Sequence, residues 1–374
     1  MKQRRLFLII AALFLAFFVT TCTQEPLFYY ITREYPPIEP VIGGAPTQIV
    51  EVSSKLYVAN RKSLWEYDTT ATTPQWVQIP LPAGVEYVKD LASTTSNLYL
   101  LAEDGGIHQG PVWSGPPVKY VSGGAQSIYG AGNMLFIGTG SAVYADFSLP
   151  ALVTGISPAP GGLLTGAAYD GTDYYISTAY GENTGIFNIT TNTKVYPSSG
   201  NASVKGIIAV GSTAIIAVNS ERQIIYKDPS GANFDSATDP GIITTSVSFT
   251  GAMALWDAGA NHMVLLGLQK GSGTFPYGYR ELDIDGSWNV DATGVFVPGN
   301  DNSGGRATSI DPGSRETSAI GKHPVNSLYV IPSSDSGDAL SRRIVVASTL
   351  KNGLWSYRAR RGVPQWNGED NSAP

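Results

Sequence analysis

The residues that most often carry metal or acid–base chemistry are few in this sequence and widely spaced. The chain has three histidines, His108, His262 and His323, and one cysteine, Cys22. No HxH, HExxH or CxxC spacing occurs among them. The sequence therefore predicts no transition-metal site and no catalytic residue by motif, and we expect no cofactor.

Two short segments carry acidic or hydroxyl side chains at spacings that occur in calcium or sialidase sites. DIDGSWNVD, residues 283–291, alternates side-chain oxygens as calcium loops do, but it lacks the later bidentate acid. SSDSG, residues 333–337, resembles half of the Asp-box of sialidase propellers, and the Thr-Trp half is missing. We interpret the first segment as a strand-to-strand turn and transfer no catalytic residue from the second.

Positive charge is concentrated at RARR, residues 358–361, in a chain whose net charge is negative. On a strand, Arg358 and Arg360 share one face, which could meet phosphate or sugar acids. Alternatively, RARR lies on an outer strand of the last sheet of a ring of sheets, the fold that the repeats described below predict. Arginines on such a strand discourage edge-to-edge pairing with another chain, and we favour this interpretation.

The cysteine comes directly after a targeting segment. Three basic residues precede an unbroken apolar run of 14 residues from Leu6 to Val19, which is shorter than the roughly 20 residues that cross a bilayer. Cys22 stands where a signal peptide would be cleaved. This arrangement resembles the lipobox of bacterial lipoproteins in a relaxed, spirochaete-like form, because Thr21 occupies the place of the usual Gly, Ala or Ser.

The lipoprotein resemblance implies that residues 1–21 are a signal peptide and that Cys22 is lipidated, with palmitate among the acyl chains. A free thiol behind an ordinary secretory signal, or an uncleaved anchor, is the alternative. No second apolar span follows, so the acyl chains would be the membrane anchor. Residues 22–46 contain Pro-Pro and Gly-Gly pairs, which exclude a helix and predict an extended tether.

Charge and composition describe an acidic, exported and folded body. Without residues 1–21 the chain has 21 basic and 30 acidic residues, a net charge of −9, so we expect no nucleic-acid partner. The chain is 43% hydrophobic and 14% charged, which is too apolar for a disordered protein. Its 42 Gly and 24 Pro residues indicate many short strands and turns.

A short apolar strand pattern recurs seven times with a period of about forty residues. The copies are centred on Leu56, Leu98, Leu135, Tyr174, Ala214, Met263 and Ile344, at spacings of 42, 37, 39, 40, 49 and 81 residues. Most copies are followed by a second strand pattern, and many are preceded by another. Three or four strands per repeat, with no amphipathic helix after the leader, predict the four-stranded blades of an all-β fold, a β-propeller.

Two related phrases, LWEYDTTATTPQW from Leu64 and LWSYRARRGVPQW from Leu354, stand near opposite ends of the chain. In a propeller the first and last blades are neighbours, so such phrases are expected where the N- and C-terminal segments close the ring. Six repeat steps separate Trp65 from Trp355, which predicts seven blades. The 81-residue step leaves an eighth blade open between Gly286 and Val325, although we interpret that stretch as an outer strand with an insertion.

The strands of the form G-[LI]-[WF]-x-[YI], together with LFIGTGSAVYAD, resemble the repeats of bacterial sensor and extracellular propellers. The resemblance covers most of residues 47–367, which we assign to the propeller, leaving residues 368–374 as a C-terminal tail. Regular repeat positions make the Trp residues fillers between blades, with their N–H groups bonded to backbone carbonyls. The resemblance implies a fold and leaves activity open, since propellers serve as enzymes, scaffolds and receptors.

Loops that join second to third strands, and those that link blades, gather on one face of a propeller around its central channel. These loops carry both charge signs and two tyrosines, which suits a polar partner; solvated loops without a ligand are the alternative. The candidate binding residues are Arg61, Lys62, Glu103, Asp104, Tyr180, Glu182, Asn183, Glu221, Arg222, Lys270, Tyr277 and Lys351.

Two classes of function follow from these observations. The first is a membrane-tethered binding or scaffold module for a protein, peptide or glycan of the cell envelope, with a monomeric body. The second is a hydrolase or lyase of extracellular polysaccharide, with acids and a tyrosine in the central funnel. The lack of a dense His/Asp/Glu cluster favours the first. Thr23 after the cysteine, where an Asp commonly signals inner-membrane retention, favours the outer membrane.

Overall fold

The computed structural model describes fifteen stretches of the chain, which belong to the compact unit formed by residues 39–374. They are residues 40–113, 118–119, 124–145, 151–152, 155–211, 214–221, 223–227, 234–238, 247–258, 261–270, 278–284, 324–332, 343–351, 353–360 and 363–368. Within them the regular structure is β-strand throughout. No helix in these stretches is long and apolar enough to cross a membrane.

The described strands form seven antiparallel sheets, numbered here in chain order. Sheet 1 contains β1 (Val50–Val52), β2 (Lys55–Asn60), β3 (Ser63–Asp68) and β4 (Trp76–Ile79). Sheet 2 contains β5 (Val88–Ser93), β6 (Leu98–Ala102), β7 (Gly106–Gly110) and β8 (Val118–Lys119). Sheet 3 contains β9 (Ser127–Ala131), β10 (Met134–Gly138), β11 (Val143–Ala145) and β12 (Ala151–Leu152). Sheet 4 contains β13 (Leu163–Tyr169), β14 (Tyr174–Ala179), β15 (Ile186–Asn188) and β16 (Thr193–Tyr196).

The remaining sheets follow the same order of strands. Sheet 5 contains β17 (Val204–Val210), β18 (Ala214–Asn219), β19 (Gln223–Lys227) and β20 (Asp235–Thr238). Sheet 6 has three described strands, β21 (Val247–Ala258), β22 (Asn261–Lys270) and β23 (Gly278–Ile284). Sheet 7 contains β24 (Val325–Pro332), β25 (Arg343–Thr349), β26 (Gly353–Arg360) and β27 (Val363–Gly368). In every sheet, strands adjacent in sequence pair with each other.

The second strand of a sheet is covered on both faces, which explains why its sequence is the clearest repeat. Every residue of β6 and of β18 is buried. A strand buried on both faces is a continuous apolar run without polar alternation. The outer strands β4 and β16 are largely exposed or half-buried, and their sequences carry a correspondingly weak signal.

Seven apolar clusters fill the interfaces between neighbouring sheets. Sheets 1 and 2 share one cluster, and the series continues through sheets 6 and 7. The seventh cluster joins sheet 7 to sheet 1, with Ile331, Val346 and Leu354 packed among residues that include Leu56 and Trp65. Each sheet therefore presents one face to each neighbour, the arrangement of β-propeller blades, and the two ends of the chain meet as predicted.

The two related phrases occupy equivalent places in sheets 1 and 7. Tyr67 is paired with Trp76 across β3 and β4, and Tyr357 is paired with Trp366 across β26 and β27. The filler role of Trp65 is confirmed, since it is buried in the cluster between these sheets. The predicted bond from its N–H to a carbonyl is wrong, because the buried Nε1 of Trp65 has no hydrogen-bond partner among the described residues.

A segment before β1, residues 42–49, ties the first sheet to the last, and we call it the lead-in segment. The backbone N–H groups of Gly353 and Leu354 donate to the carbonyls of Gly44 and Ile42, both at 2.9 Å. The Pro46 carbonyl accepts hydrogen bonds from side chains of sheet 7. Part of the sequence assigned to the tether, residues 42–46, thus contacts the propeller; residues 22–39 lie outside the described residues.

Several sequence interpretations concern parts of the chain that the structure does not describe. Residues 285–323, where an eighth blade was left open, and SSDSG at 333–337 are outside the described residues. The placement of RARR on an outer strand is wrong, because β26 pairs with both β25 and β27 and so is not an edge strand. A paired third strand needs no charge to prevent edge-to-edge association.

Candidate functional site

Turns between second and third strands lie beside the segments that lead into the first strands. The Glu103 N–H donates to the Tyr87 carbonyl at 3.0 Å in sheet 2. In sheet 5 the Ser220 N–H donates to the Ser203 carbonyl at 2.8 Å. In sheets 1, 3, 4 and 7, other backbone bonds join the segment before the first strand to the end of the second strand or to the turn that follows it. These turns therefore share one end of the strands, which we call the turn face.

The structure places most predicted binding residues on the turn face. The exposed ones among them are Arg61, Lys62, Glu103, Asp104, Tyr180, Glu182, Glu221 and Lys351. Tyr180 is 65% exposed, unusual for an aromatic side chain. Lys270 ends β22 in sheet 6. Arg222, Tyr277 and Cys22 lie outside the described residues.

Four charged or aromatic residues form a cluster where sheets 1 and 2 meet on the turn face. Arg61 Nη2 lies 3.3 Å from Glu103 Oε1, and both side chains are mostly exposed. The Arg61 guanidinium and the Lys62 ammonium lie over the Tyr87 ring, at 5.6 and 5.3 Å from its centroid. The cluster combines predicted residues with Tyr87, and its exposed charges are available to a partner.

Asn183, one of the predicted binding residues, bonds to a neighbouring loop and to Lys194. Its Nδ2 donates to the carbonyls of Pro158, at 2.8 Å, and Ala159, and its Oδ1 accepts from Lys194 Nζ at 3.3 Å. Asn183, Pro158 and Lys194, together with Glu182, line a pocket of 740 Å³ beside sheet 4. Both ends of the Asn183 amide therefore take part in hydrogen bonds within the protein.

A cavity of 830 Å³ lies between the first strands and is reached from the turn face. All seven sheets or their lead-in segments contribute to its walls, and Arg61 and Glu103 also line it. We call it the channel. Its polar and charged lining is formed by Thr47, Gln48, Lys89, Asp90, Ser93, Tyr129, Thr165, Lys205, Thr250, Asn326 and Ser327, besides those two rim residues.

A repeated irregularity of the first strands positions these polar side chains. The pairing of first and second strands shifts register at Lys89, Thr165, Lys205 and Asn326, in sheets 2, 4, 5 and 7, and near Thr250 in sheet 6. A β-bulge re-aims the extra residue out of the regular alternation. The bulged residues all line the channel. The bulges therefore place polar side chains of the first strands on the channel wall.

Several polar residues of this wall also join one sheet to the next. Thr165 Oγ1 donates to the Val204 carbonyl at 2.6 Å, Lys205 Nζ to the Phe249 carbonyl at 3.1 Å, and Asn326 Nδ2 to the Pro46 carbonyl at 3.0 Å. Each acceptor belongs to the start of the neighbouring first strand or its lead-in segment. These side chains satisfy backbone groups at the channel and hold adjacent sheets together.

Asp90 departs from this pattern, because it brings a carboxylate to the channel. Gln48 Nε2 donates to Asp90 Oδ2 at 2.9 Å, and the Leu91 N–H donates to Oδ1 at 2.9 Å. Both donors are neutral. Burial raises the pKa of Asp90 to about 6, against the opposing effect of these hydrogen bonds and of Lys89. The carboxylate is therefore poorly compensated within the protein.

Two further ionisable groups of the channel are perturbed by burial. Burial, reinforced by the charge of Asp90, raises the pKa of Tyr129. Burial lowers the pKa of Lys205. No carboxylate among the described residues forms an ion pair with Lys205, whose Nζ donates to the neutral carbonyl of Phe249. The channel thus holds the Asp90 carboxylate and the Lys205 ammonium, whose hydrogen bonds within the described part of the chain are to neutral groups.

Sequence reasoning missed Gln48, Asp90, Tyr129 and Lys205, although a signal for Asp90 exists. The bulged strands begin with an apolar residue, a polar residue and then a small one, as in Leu-Thr-Gly, Val-Lys-Gly, Phe-Thr-Gly and Val-Asn-Ser. Sheet 2 has Val-Lys-Asp in the same register. Alignment of the first strands would have shown the carboxylate where the others have Gly or Ser.

Within the described stretches, no three His, Cys, Asp or Glu side chains are grouped so that they could hold a metal ion. His108 is buried in β7, and burial lowers its pKa. The arrangement of the channel is instead one of separated single charges and neutral hydrogen-bonding groups. Such a lining can recognise polar groups of a ligand.

Comparisons with solved structures identify propellers of similar fold. The WD40 β-propeller domain of Doa1 matches with a TM-score of 0.52 and 11% identity, over 85% of this chain and 94% of that one. The structure described as YCF48 bound to D1 peptide matches with a TM-score of 0.51 and 13% identity, over 87% and 98%. No protein-family model and no curated protein matches the chain.

A third similar structure is the extracellular domain of the putative one-component system BT4673 from B. thetaiotaomicron. Its TM-score is 0.51 at 13% identity, over 85% of this chain and 39% of that chain. This chain therefore spans well under half of that protein's length. At such identities the similarity shows the β-propeller fold, and function has to be argued from the site.

Proposed function

We propose that this protein is a lipid-anchored lipoprotein of the cell envelope, with the outer membrane favoured. Its propeller body is a binding or scaffold module for a protein, peptide or glycan partner. The partner contacts the turn face and enters the channel. One observation carries this proposal. The 830 Å³ channel is lined by polar side chains and by charges of both signs, and it opens on the face where the predicted loop residues lie.

The chemistry of the turn face supports a polar partner over a small hydrophobic molecule. Exposed charges of both signs surround the channel, and Arg61 and Glu103 stand at its rim. Exposed ion pairs contribute little to folding stability, so these side chains can exchange partners at small cost. YCF48, a propeller of similar fold, has been described bound to a peptide, which supports the same use here by analogy.

The anchoring half of the proposal rests on Cys22 and its leader. We predict that cells producing the protein incorporate labelled palmitate into it, and that Cys22→Ser abolishes the label, because the chain has no other thiol. Gel fluorography of the immunoprecipitated protein measures the label, and Thr23→Ser is the matched control that should keep it. Undiminished label in Cys22→Ser would refute acylation at this residue.

The binding half predicts where a partner contacts the body. With benzoylphenylalanine at Lys62, on the turn face, ultraviolet light should attach an envelope component to the full-length protein in cells. The same group at Val77, which is 49% exposed on the outer strand β4, serves as the control. Mass spectrometry of the adducts identifies the component.

We expect several-fold more adduct at Lys62 than at Val77, because only Lys62 lies beside the channel. Equal yields at both positions would indicate collisions with abundant neighbours and would contradict a turn-face site. Adduct at Val77 alone would move the interface to the outer strands.

A second candidate, a polysaccharide hydrolase or lyase, has one specific observation in its favour. Asp90 has a pKa near that of a general acid or base, and its charge reaches Tyr129 in the same channel. Glycoside hydrolysis usually needs a second carboxylate. Glu103, the other described carboxylate that lines the channel, lies at the exposed rim beside Arg61 and not next to Asp90 in the sheet. The described lining therefore supports binding better than hydrolysis.

A further inference from the structure

Asp90 is a charged residue at a position where several other sheets have glycine. In sheets 4, 5 and 6 the equivalent residues are Gly166, Gly206 and Gly251. A side chain at Gly206 would meet the carbonyl oxygen of Gly251 in the next sheet. A small residue is therefore what the contact between sheets 5 and 6 requires, whereas sheet 2 places at this position a carboxylate that accepts a hydrogen bond from Gln48 of the lead-in segment. Such departures from a repeated local rule are expected at functional sites.

Asp90 and Lys205 are the two charges of the channel whose protein partners are all neutral. The Asp90 carboxylate accepts from the Gln48 amide and a backbone N–H. The Lys205 ammonium donates to a backbone carbonyl. Burying a charge without a counter-charge is costly, and a ligand that supplies the opposite charge recovers part of that cost.

The other described charges around the channel do not fill these roles. Arg61 and Glu103 neutralise each other at the rim. Lys89 is exposed, and its charge is too weakly coupled to Asp90 to offset the effect of burial on the pKa of the carboxylate. Lys89 adds positive charge at the channel entrance, where it would attract an acidic group. A purely cationic ligand would meet repulsion from both lysines.

Asp90 and Lys205 stand three sheets apart around the same cavity. A single small ion cannot contact walls formed by sheets 2 and 5, whereas an extended ligand with two charged groups can. A cavity of 830 Å³ has the size of pockets that enclose drug-sized ligands. Among the partner types of the proposed function, peptides readily offer free ammonium or guanidinium groups together with carboxylates.

We propose, on the basis of the proposed binding function, that the channel selects peptide segments that carry a basic and an acidic side chain together. The basic group pairs with Asp90 and the acidic group pairs with Lys205. The Gln48 amide holds the carboxylate in place, and Tyr129 supplies a hydroxyl beside it. No covalent step is involved.

The test uses beads that display end-blocked random nonapeptides, probed with fluorescent full-length protein in detergent. Wild-type protein should enrich sequences that contain Lys or Arg together with Asp or Glu. Asp90→Asn should lower the affinity for the retained peptides by at least about tenfold and abolish the preference for basic residues. Lys205→Met should abolish the preference for acidic residues instead.

Two matched controls lie at the opposite ends of the strands. Asp68→Asn changes an exposed carboxylate whose partners are in its own turn, and Lys55→Met changes an ammonium that is paired with Glu66. Both should select the same peptides as wild type. Thermal unfolding of each variant shows whether the body is intact, and Asp90→Glu should restore part of the basic preference.

Peptides captured without a charge preference, or with a preference that survives both Asp90→Asn and Lys205→Met, would overturn this inference and leave the binding function standing. No peptide captured by wild type, together with cross-linking of a non-peptide polymer at Lys62, would likewise overturn the inference alone. No peptide captured and no selective cross-link at Lys62 would overturn the proposed function as well.

Discussion

Truncation of the chain after Leu350 is expected to abolish cooperative folding. The deletion removes β26 and β27 from sheet 7, with the buried side chains of Leu354 and Trp355. Loss of a buried Leu or Trp side chain alone typically costs about 2–5 kcal/mol, and whole domains are stable by about 5–15 kcal/mol. The deletion also exposes β25 as an unpaired edge, which promotes aggregation.

Size-exclusion chromatography and thermal unfolding measure this effect. Truncation after Gly368, which leaves every described strand in place, is the matched control and should behave as the full chain. The point variant Trp355→Ala should lower the free energy of unfolding by about 3–5 kcal/mol, since the indole is buried between sheets 6 and 7. A soluble monomer with unchanged melting after truncation at Leu350 would contradict ring closure by sheet 7.

Asp90→Asn is expected to stabilise the folded protein at neutral pH and to leave it unchanged near pH 4. The folded-state pKa of about 6 exceeds the value of about 3.9 in an unfolded chain. The folded state thus binds more protons between these values, and wild-type stability falls as pH rises through that window. The penalty is complete above about pH 6 and absent below about pH 4.

The two pKa values differ by an amount equivalent to about 3 kcal/mol, and water in the channel screens part of it, so we expect a gain of about 2 kcal/mol at pH 8. Urea unfolding at pH 4, 5, 6 and 8 measures the difference between variant and wild type. Glu103→Gln, an exposed carboxylate at the rim, should stay within about 0.5 kcal/mol throughout. A difference for Asp90→Asn that does not vary with pH would contradict a half-buried, poorly compensated carboxylate.

The fold could be predicted because its clearest strands are those buried on both faces. Residues such as Leu98–Ala102 form uninterrupted apolar runs, and these recur at a period near forty residues. The outer strands were harder to predict since one face meets solvent and several contain only two to four residues. The repeated Leu-Trp phrases indicated ring closure because the first and last sheets need similar surfaces to pack together.

The loop residues could be predicted from topology alone, whereas the channel residues could not. Arg61 and Glu103 belong to turns whose face follows from the order of strands. Asp90 and Lys205 line the channel because β-bulges rotate the local backbone, and a bulge is a property of pairing between strands that single-strand periodicity does not contain. For Asn183 the order of strands predicted the position in a turn, but it did not predict that the side chain bonds to a neighbouring loop.

The central claim is that partners bind at the turn face and enter the channel. The most direct measurement compares the cross-linking yields from benzoylphenylalanine at two positions. Lys89 lines the channel, whereas Ser96 is exposed in the turn between β5 and β6, at the opposite end of the same strand. We expect one dominant adduct from Lys89, the same component that is captured at Lys62, and only background from Ser96. A dominant adduct from Ser96 with none from Lys89 would contradict the central claim.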